Sequence, residues 1–525
     1  MLKELLEESN LTRTENGAVT YNSSMSDCLD FFGTAGALRK ARKHEIIRRF
    51  LRAYTEDRNL ALKALFFARD IRGGLGERRV FRILLHYLAE QEPAVVRKNL
   101  SLIAEYGRYD DLLVLMDTPC EEDALRLIRA QLSLDQEALE QGAPVSLLAK
   151  WLPSVNTSSA EQSALGKRIA KACGMQEREY RKTLSALRRA LAIIENPLRE
   201  KDYSFDYEKQ CSRALYKYRR AFMRHDGERY SAFLRAASAG EAKLNASNLY
   251  PYELVDPYLD QSYCTNRTRC FMRPVSEEEK AVLNASWAAL PDYVGGGKAA
   301  DSEGTDGAVD GAAEASGMRK YAWKNALAIV DTSGSMYWDH SPKPASVALS
   351  LGLYFAERNQ GEFRNHFILF SRSPKLICLK GETFADRLRY EASFCEVGNT
   401  NLYAVFRLIL DTAVKHQVPP QEMPSKLVII SDMEFDMCGM RGTSSINFEA
   451  ARRMYEAAGY RLPQLVYWNV QSRNRQQPVR MHENGTALVS GCTPHLFEMV
   501  AGELVDPYAL MMEVLGGPRY AAVAA

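Results

Sequence analysis

At 525 residues the chain exceeds what one hydrophobic core usually fills, about 250–300 residues, so two or more domains are expected. Its 68 Lys+Arg against 66 Asp+Glu give a net charge of +2, which excludes a global polycation and leaves any nucleic-acid surface to local patches. The start, Met1-Leu-Lys-Glu-Leu-Leu-Glu-Glu8, is acidic, and no apolar run reaches the roughly 18 residues of a membrane span, so a cytoplasmic protein without signal peptide or membrane anchor is expected. Ten cysteines without a C-x-x-C pair point to reduced, structural thiols. Cys264 and Cys270 are the nearest pair, with no second pair to complete a zinc site.

Residues 1–30 form a polar N-terminal arm, expected to be loosely ordered, with Thr20-Tyr-Asn-Ser-Ser-Met25 extended. From residue 31 to 294 the pattern is helical. Ile46, Ile47, Phe50, Leu51 and Tyr54 recur at the spacing of one helical face. Breaks fall at Arg69-Asp-Ile-Arg-Gly-Gly-Leu-Gly-Glu-Arg-Arg79 and Tyr106-Gly-Arg-Tyr-Asp-Asp111. Further helices are predicted over 121–140, 159–173, 176–194, 212–224, 227–237 and 276–290, with no strand before residue 320. The class is an all-α, HEAT-like array of stacked helices.

Charge within this half is uneven: residues 101–150 hold 4 Lys+Arg against 10 Asp+Glu, and residues 151–250 hold 19 against 11. Arg181, Lys182, Lys217, Arg220, Arg224 and His225 are the candidate phosphate contacts, interleaved with Tyr180, Tyr216, Tyr218 and Phe222. Cations for phosphates and rings for unpaired bases are what an RNA surface requires. The same rings also fit as core contacts beneath a solvated basic face.

Residues 295–318 are rich in Gly, Ala and Asp, too poor in large apolar side chains to order themselves, and read as a flexible linker. Residues 319–525 alternate strands and helices, the signature of an α/β domain with a doubly wound, mainly parallel sheet. The run Leu327–Val330 is a strand buried on both faces, and it enters Asp331-Thr-Ser-Gly-Ser335. Strands at 366–370 and 375–379 are joined too closely for a crossover and form an antiparallel edge. Gly398-Asn-Thr400-Asn-Leu402 opens a helix, and Lys426-Leu-Val-Ile-Ile-Ser-Asp432 is a second buried strand ending on a carboxylate.

Three segments thus deliver Asp331, Ser333, Ser335, Thr400 and Asp432 to one sheet edge, where open α/β sheets place ligands. Hard divalent cations, Mg²⁺ above all, favour such oxygen donors. The alternative is that Asp331 and Ser333 only cap a helix. The order and spacing resemble the metal-ion-dependent adhesion site of von Willebrand factor A domains. That resemblance implies Mg²⁺ bound by Asp331, Ser333 and Ser335, with Thr400 and Asp432 direct or through water.

The breaks at 69–79 and 106–111 resemble turns of the TROVE module, the helical ring of the Ro ribonucleoprotein autoantigen, which also ends in a von Willebrand A domain. Closer is a TROVE-related family of uncharacterised proteins with the same domain order. Its resemblance rests on Ala149-Lys-Trp-Leu-Pro153, Glu179-Tyr-Arg-Lys-Thr-Leu184, Ala221-Phe-Met-Arg-His-Asp226, Trp468-Asn-Val470 and Ala487-Leu-Val-Ser-Gly491. The resemblance to Ro implies a ring-shaped scaffold that binds small noncoding or single-stranded RNA, and a monomer is expected. A second expectation is a protein-binding module, in which a partner's Asp or Glu completes the metal's coordination.

No catalytic residue is expected. Gly73, Gly74 and Gly76 lack the G-x-x-x-x-G-K-[ST] of a phosphate loop and read as a helix-breaking turn. His225 and Asp226, adjacent on a helix, point about 100° apart. Glu434 and Asp436 follow Asp432 at alternate positions and read as solvated carboxylates, against the option of a second metal for phosphoester chemistry.

Overall fold

The structure, a computed structural model, describes residues 9–246, 249–260, 271–272, 275–294, 323, 325–337, 342–370, 374–394, 400–436 and 447–525. The expected 295–318 linker, the Cys264/Cys270 pair and Gly398 lie outside them. The chain forms two compact units: Lys43–Asp206 with Gly517–Ala525, and Met1–Arg42 with Tyr207–Gly516.

The first of these is helical, built on Lys43–Glu56, Arg58–Arg69, Arg78–Gln91, Glu121–Glu140, Ala160–Ala172 and Glu177–Ala190. Side chains start several of them: Asp57 accepts the Leu60 N–H, and Ser159 that of Gln162. Ile46, Phe50, Val80, Leu84 and Ile128 are fully buried. The two glycine-bearing breaks meet in space. Arg69 Nε donates to Asp111 Oδ2 at 2.7 Å, with side-chain exposures of 2% and 0%. A Cβ on Gly107 would collide with that carboxylate and guanidinium, which explains the glycine there. Asp70 accepts from Arg519 Nε and Nη2 at 2.8 and 3.0 Å and from the Tyr520 hydroxyl at 3.0 Å. The last nine residues therefore join this unit, whereas the sequence placed them in the sheet domain.

The second unit is organised by a six-stranded sheet. Its strands are β5 (Ala326–Val330), β6 (His366–Leu369), β7 (Leu376–Cys378), β8 (Lys426–Ser431), β9 (Gln464–Asn469) and β10 (Thr486–Ser490). Their order is β10-β9-β8-β5-β6-β7, parallel throughout except for the β6–β7 edge pair. This is the doubly wound, mainly parallel sheet expected, and every residue of β5, β8 and β10 is buried. A helix absent from the sequence reading, Phe384–Ala392, follows β7.

Three expectations are corrected here. Strands do precede residue 320: β1 (Leu11–Arg13) pairs antiparallel with β2 (Val19–Tyr21), and β3 (Leu259–Asp260) with β4 (Phe271–Met272). The described part of the arm is thus ordered. It is short and polar, so periodicity misses it, but Tyr21 exchanges backbone hydrogen bonds with Gln477 at 3.1 and 2.8 Å. Residues 207–294 also belong with the sheet rather than with the preceding helices. Trp287 accounts for much of this: its ring stacks on Phe384 at 4.1 Å, and its Nε1 donates to Glu357 at 2.6 Å.

Candidate metal centre and basic helices

The register pairs Val330 with Ile430, so Asp331 leaves β5 beside Ser431 and Asp432 at the end of β8. Strand order reverses between β5 and β8, and that switch point is where parallel sheets open a crevice at their carboxyl ends. Asp331 Oδ1 accepts the Ser333 N–H at 2.8 Å, and Oδ2 accepts the Ser431 hydroxyl at 2.6 Å. The Ser333 and Ser335 hydroxyls lie 3.2 Å apart, and that of Ser335 hydrogen-bonds Asp432. Thr400 opens the Leu402–His416 helix, and its carbonyl accepts the Asp436 N–H at 3.0 Å, which ties its loop to the segment after β8.

Asp331, Thr400 and Asp432 are buried, with exposures of 0%, 1% and 2%. Burial, and then the neighbouring Asp432 charge, push the Asp331 carboxyl well above the ordinary aspartate range. Burial also raises Asp432, while the Arg473 guanidinium and the Ser335 hydroxyl pull it back. Two buried carboxylates sharing one site repel unless one is protonated or a cation stands beside them, as Arg473 does at Asp432.

The donor set fits a hard cation. The buried Thr400 hydroxyl has no hydrogen-bond partner among the described residues, an orphan that a metal or its water would satisfy. Among the described residues no three His, Cys, Asp or Glu side chains cluster as metal ligands.

Sequence reasoning missed three residues here. Ser431 orients Asp331, Arg473 Nη2 donates to Asp432 Oδ2 at 2.9 Å, and Glu15 accepts from Arg473 Nη1 at 2.7 Å. Ser431 was legible as the last strand residue before Asp432. Arg473 lies just past β9, the neighbour of β8, so strand order could have flagged it. No local signal marks Glu15.

The six basic candidates are divided between the units. Arg181 and Lys182 are exposed on Glu177–Ala190 in the helical unit and make no side-chain ion pair with another described residue. Lys217, Arg220, Arg224 and His225 are exposed on Ser212–His225 in the sheet unit, where Arg220 pairs with Glu279 at 3.3 Å. The interleaved rings are mostly inward. Tyr180 and Phe222 are fully buried, and Phe222 packs edge-on against Tyr207 at 5.3 Å. Tyr218 is half-buried beneath the Lys217 ammonium, 4.6 Å from its centroid.

The residues weighed for catalysis are engaged otherwise. Asp226 accepts from the Tyr207 hydroxyl and Arg229 at 2.8 and 2.9 Å. Glu434 accepts from the Glu15 N–H, Asn474 and Gln476. The Gly73–Gly76 turn folds back on Asp70, whose carboxylate takes the Arg72 N–H and whose carbonyl takes that of Gly76.

A family model described as "Domain of unknown function (DUF2828)" matches residues 14–129 and 123–294, more than half of the chain. The chain belongs to this family. A second model, "Domain of unknown function (DUF7788)", matches residues 325–506, the sheet and the loops at its carboxyl edge. A relative of this DUF2828 protein, "Uncharacterized protein L728" of Acanthamoeba polyphaga mimivirus, is 28% identical over 545 positions, which cover 97% of this chain and 87% of that one. The crystal structure of the Ro (RSR) protein of Deinococcus radiodurans aligns with 91% of this chain and 99% of its own at 13% identity and a TM-score of 0.32, a likeness too distant to transfer a residue or a function. No helix among the described residues is long and apolar enough to cross a membrane.

Proposed function

We propose that this DUF2828 protein is a binding scaffold whose sheet unit holds a divalent cation, Mg²⁺ by its oxygen chemistry, at Asp331, Ser333, Ser335, Thr400 and Asp432. The observation that carries this reading is the pair of buried carboxylates, Asp331 and Asp432, at the ends of neighbouring parallel strands, with the Thr400 hydroxyl also buried and without a hydrogen-bond partner among the described residues. The macromolecular ligand that best fits the rest of the chain is single-stranded or small noncoding RNA. The candidate phosphate contacts are Arg181 and Lys182 on the helical unit and, taken by themselves, Lys217, Arg220, Arg224 and His225 on the sheet unit. Because Tyr180 and Phe222 are buried, such binding is directed at the backbone, with little stacking of bases.

Filter binding of single-stranded RNA over a salt series tests this. Each phosphate contact removed by Arg181→Ala or Lys182→Ala should flatten the log–log salt slope by about 0.7. A slope unchanged in the double variant removes these residues from the interface.

The inward rings favour one other reading, a module that binds a protein through the metal. There a partner's Asp or Glu would complete the coordination, and the basic helices would be no more than a solvated face. Partner capture that is lost in EDTA and with Asp331→Ala, by protein that retains no RNA, selects this reading over the first.

A further inference from the structure

The metal edge carries a cation of its own. Arg473 is only 14% exposed, and its guanidinium spans from Asp432 Oδ2 at 2.9 Å to Glu15 Oε2 at 2.7 Å. Glu15 belongs to the N-terminal arm, which is clipped to the three residues that follow the metal aspartate's loop. Thr14 Oγ1 donates to the Phe435 carbonyl at 2.6 Å, and the Glu15 N–H to Glu434 Oε2 at 2.8 Å. Asn16 Nδ2 donates to the Glu434 carbonyl at 2.6 Å, and Gly17 bridges Asp436 in antiparallel fashion. Asn474, next to Arg473, donates to both Glu15 Oε1 and Glu434 Oε1. One side chain therefore neutralises a metal-site carboxylate and fastens the arm beside it.

We infer that Arg473 is an internal counter-cation that competes with the divalent metal for Asp432, so that metal occupancy and docking of residues 14–17 oppose each other. The inference rests on the cation reading above. Its physical basis is the charge already set against Asp432. Oδ2 accepts from Arg473, Oδ1 accepts the Glu434 N–H at 3.3 Å, and the Ser335 hydroxyl bonds the same carboxylate. A doubly charged ion placed against this carboxylate meets a fixed positive charge one hydrogen bond away, with little water to screen it. Relief comes when the guanidinium leaves Asp432. Its departure removes an ionic tie of the arm, and by linkage whatever loosens the arm strengthens the metal.

Mn²⁺ binding to the full chain, followed by electron paramagnetic resonance, tests the competition, and amide hydrogen exchange of residues 14–17 tests the coupling. Arg473→Met should bind Mn²⁺ about tenfold or more tightly than wild type. Arg473→Lys, which keeps the charge, should stay close to wild type and controls for folding. Mn²⁺ should speed exchange at 14–17 in the wild type and leave it unchanged in Arg473→Met, where the tie is already gone. Weaker or equal Mn²⁺ binding by Arg473→Met overturns the inference alone, since Arg473 would then orient Asp432 for the metal. Slower exchange on adding Mn²⁺ overturns the coupling. If the wild type binds no Mn²⁺, or Asp331→Ala binds it as well as wild type does, the cation reading fails and the competition fails with it.

Discussion

Replacing Asp331 by asparagine should shift stability in opposite directions with and without Mg²⁺. Asp331 and Asp432 leave adjacent parallel strands and are both buried. Adjacent strands lie about 4.8 Å apart, and two like charges at that distance repel by about 3 kcal/mol at an effective dielectric near 20. Arg473 beside Asp432 offsets part of this, leaving a net cost of about 1–2 kcal/mol in the metal-free protein. Asparagine removes the charge at nearly constant volume. Its Oδ1 can still accept the Ser333 N–H, and its Nδ2 faces Ser431 Oγ, which already accepts the Met433 N–H at 3.0 Å.

The variant's sheet unit should therefore melt a few degrees above wild type in EDTA. With Mg²⁺ at about a thousand times its dissociation constant, wild type gains about 4 kcal/mol by mass action and the variant gains none, so the order reverses. Thermal unfolding followed by near-ultraviolet circular dichroism reads both arms. A variant that melts lower in EDTA, or that gains as much as wild type from Mg²⁺, refutes the account of paired carboxylates awaiting a cation.

Arg69→Ala should destabilise the helical unit by about 3 kcal/mol in urea titrations, because it strips a fully buried carboxylate, Asp111, of one partner; Arg82 Nε, at 2.6 Å, keeps the loss near the lower end for a broken buried pair. A loss below about 1 kcal/mol would mean that Arg82 suffices. Lys426 donates to the carbonyls of Val500, Ala501 and Gly502, and burial lowers its ammonium from 10.5 to about 8. The folded value lies below the unfolded one, so folding disfavours the charged form, and the cost is full below pH 8 and relieved as pH rises towards 10.5. The stability of wild type relative to Lys426→Met should then rise by about 3 kcal/mol over that window, and a flat difference would contradict the burial argument.

The three segments of the candidate site were legible in the sequence because each carries its own signature. Leu327–Val330 and Leu427–Ile430 are apolar runs of strand length that end on Asp331 and on Ser431-Asp432, and Thr400 stands just before a helical period. Parallel neighbours then bring their ends together without further instruction. The glycine-bearing turns were legible as breaks in the helical pattern but not as chemistry. Arg69, Asp70, Gly107 and Asp111 turn out to hold the helical unit together. The basic helices were visible as charge, yet the interleaved rings were ambiguous. A tyrosine at helical spacing can face core or solvent, and burial settled it for Tyr180 and Phe222.

By itself the sequence determined the class of each half, the strand ends that converge, and the donor types offered to a cation, since all of these follow from local periodicity and side-chain chemistry. Only the tertiary structure decided that residues 207–294 pack with the sheet, that Arg519 and Tyr520 return to Asp70, and that Arg473 reaches from Asp432 to Glu15. The reason is separation along the chain. Glu15 and Arg473 are hundreds of residues apart, and a lone charge in a polar segment reads the same whether its partner is water or another side chain.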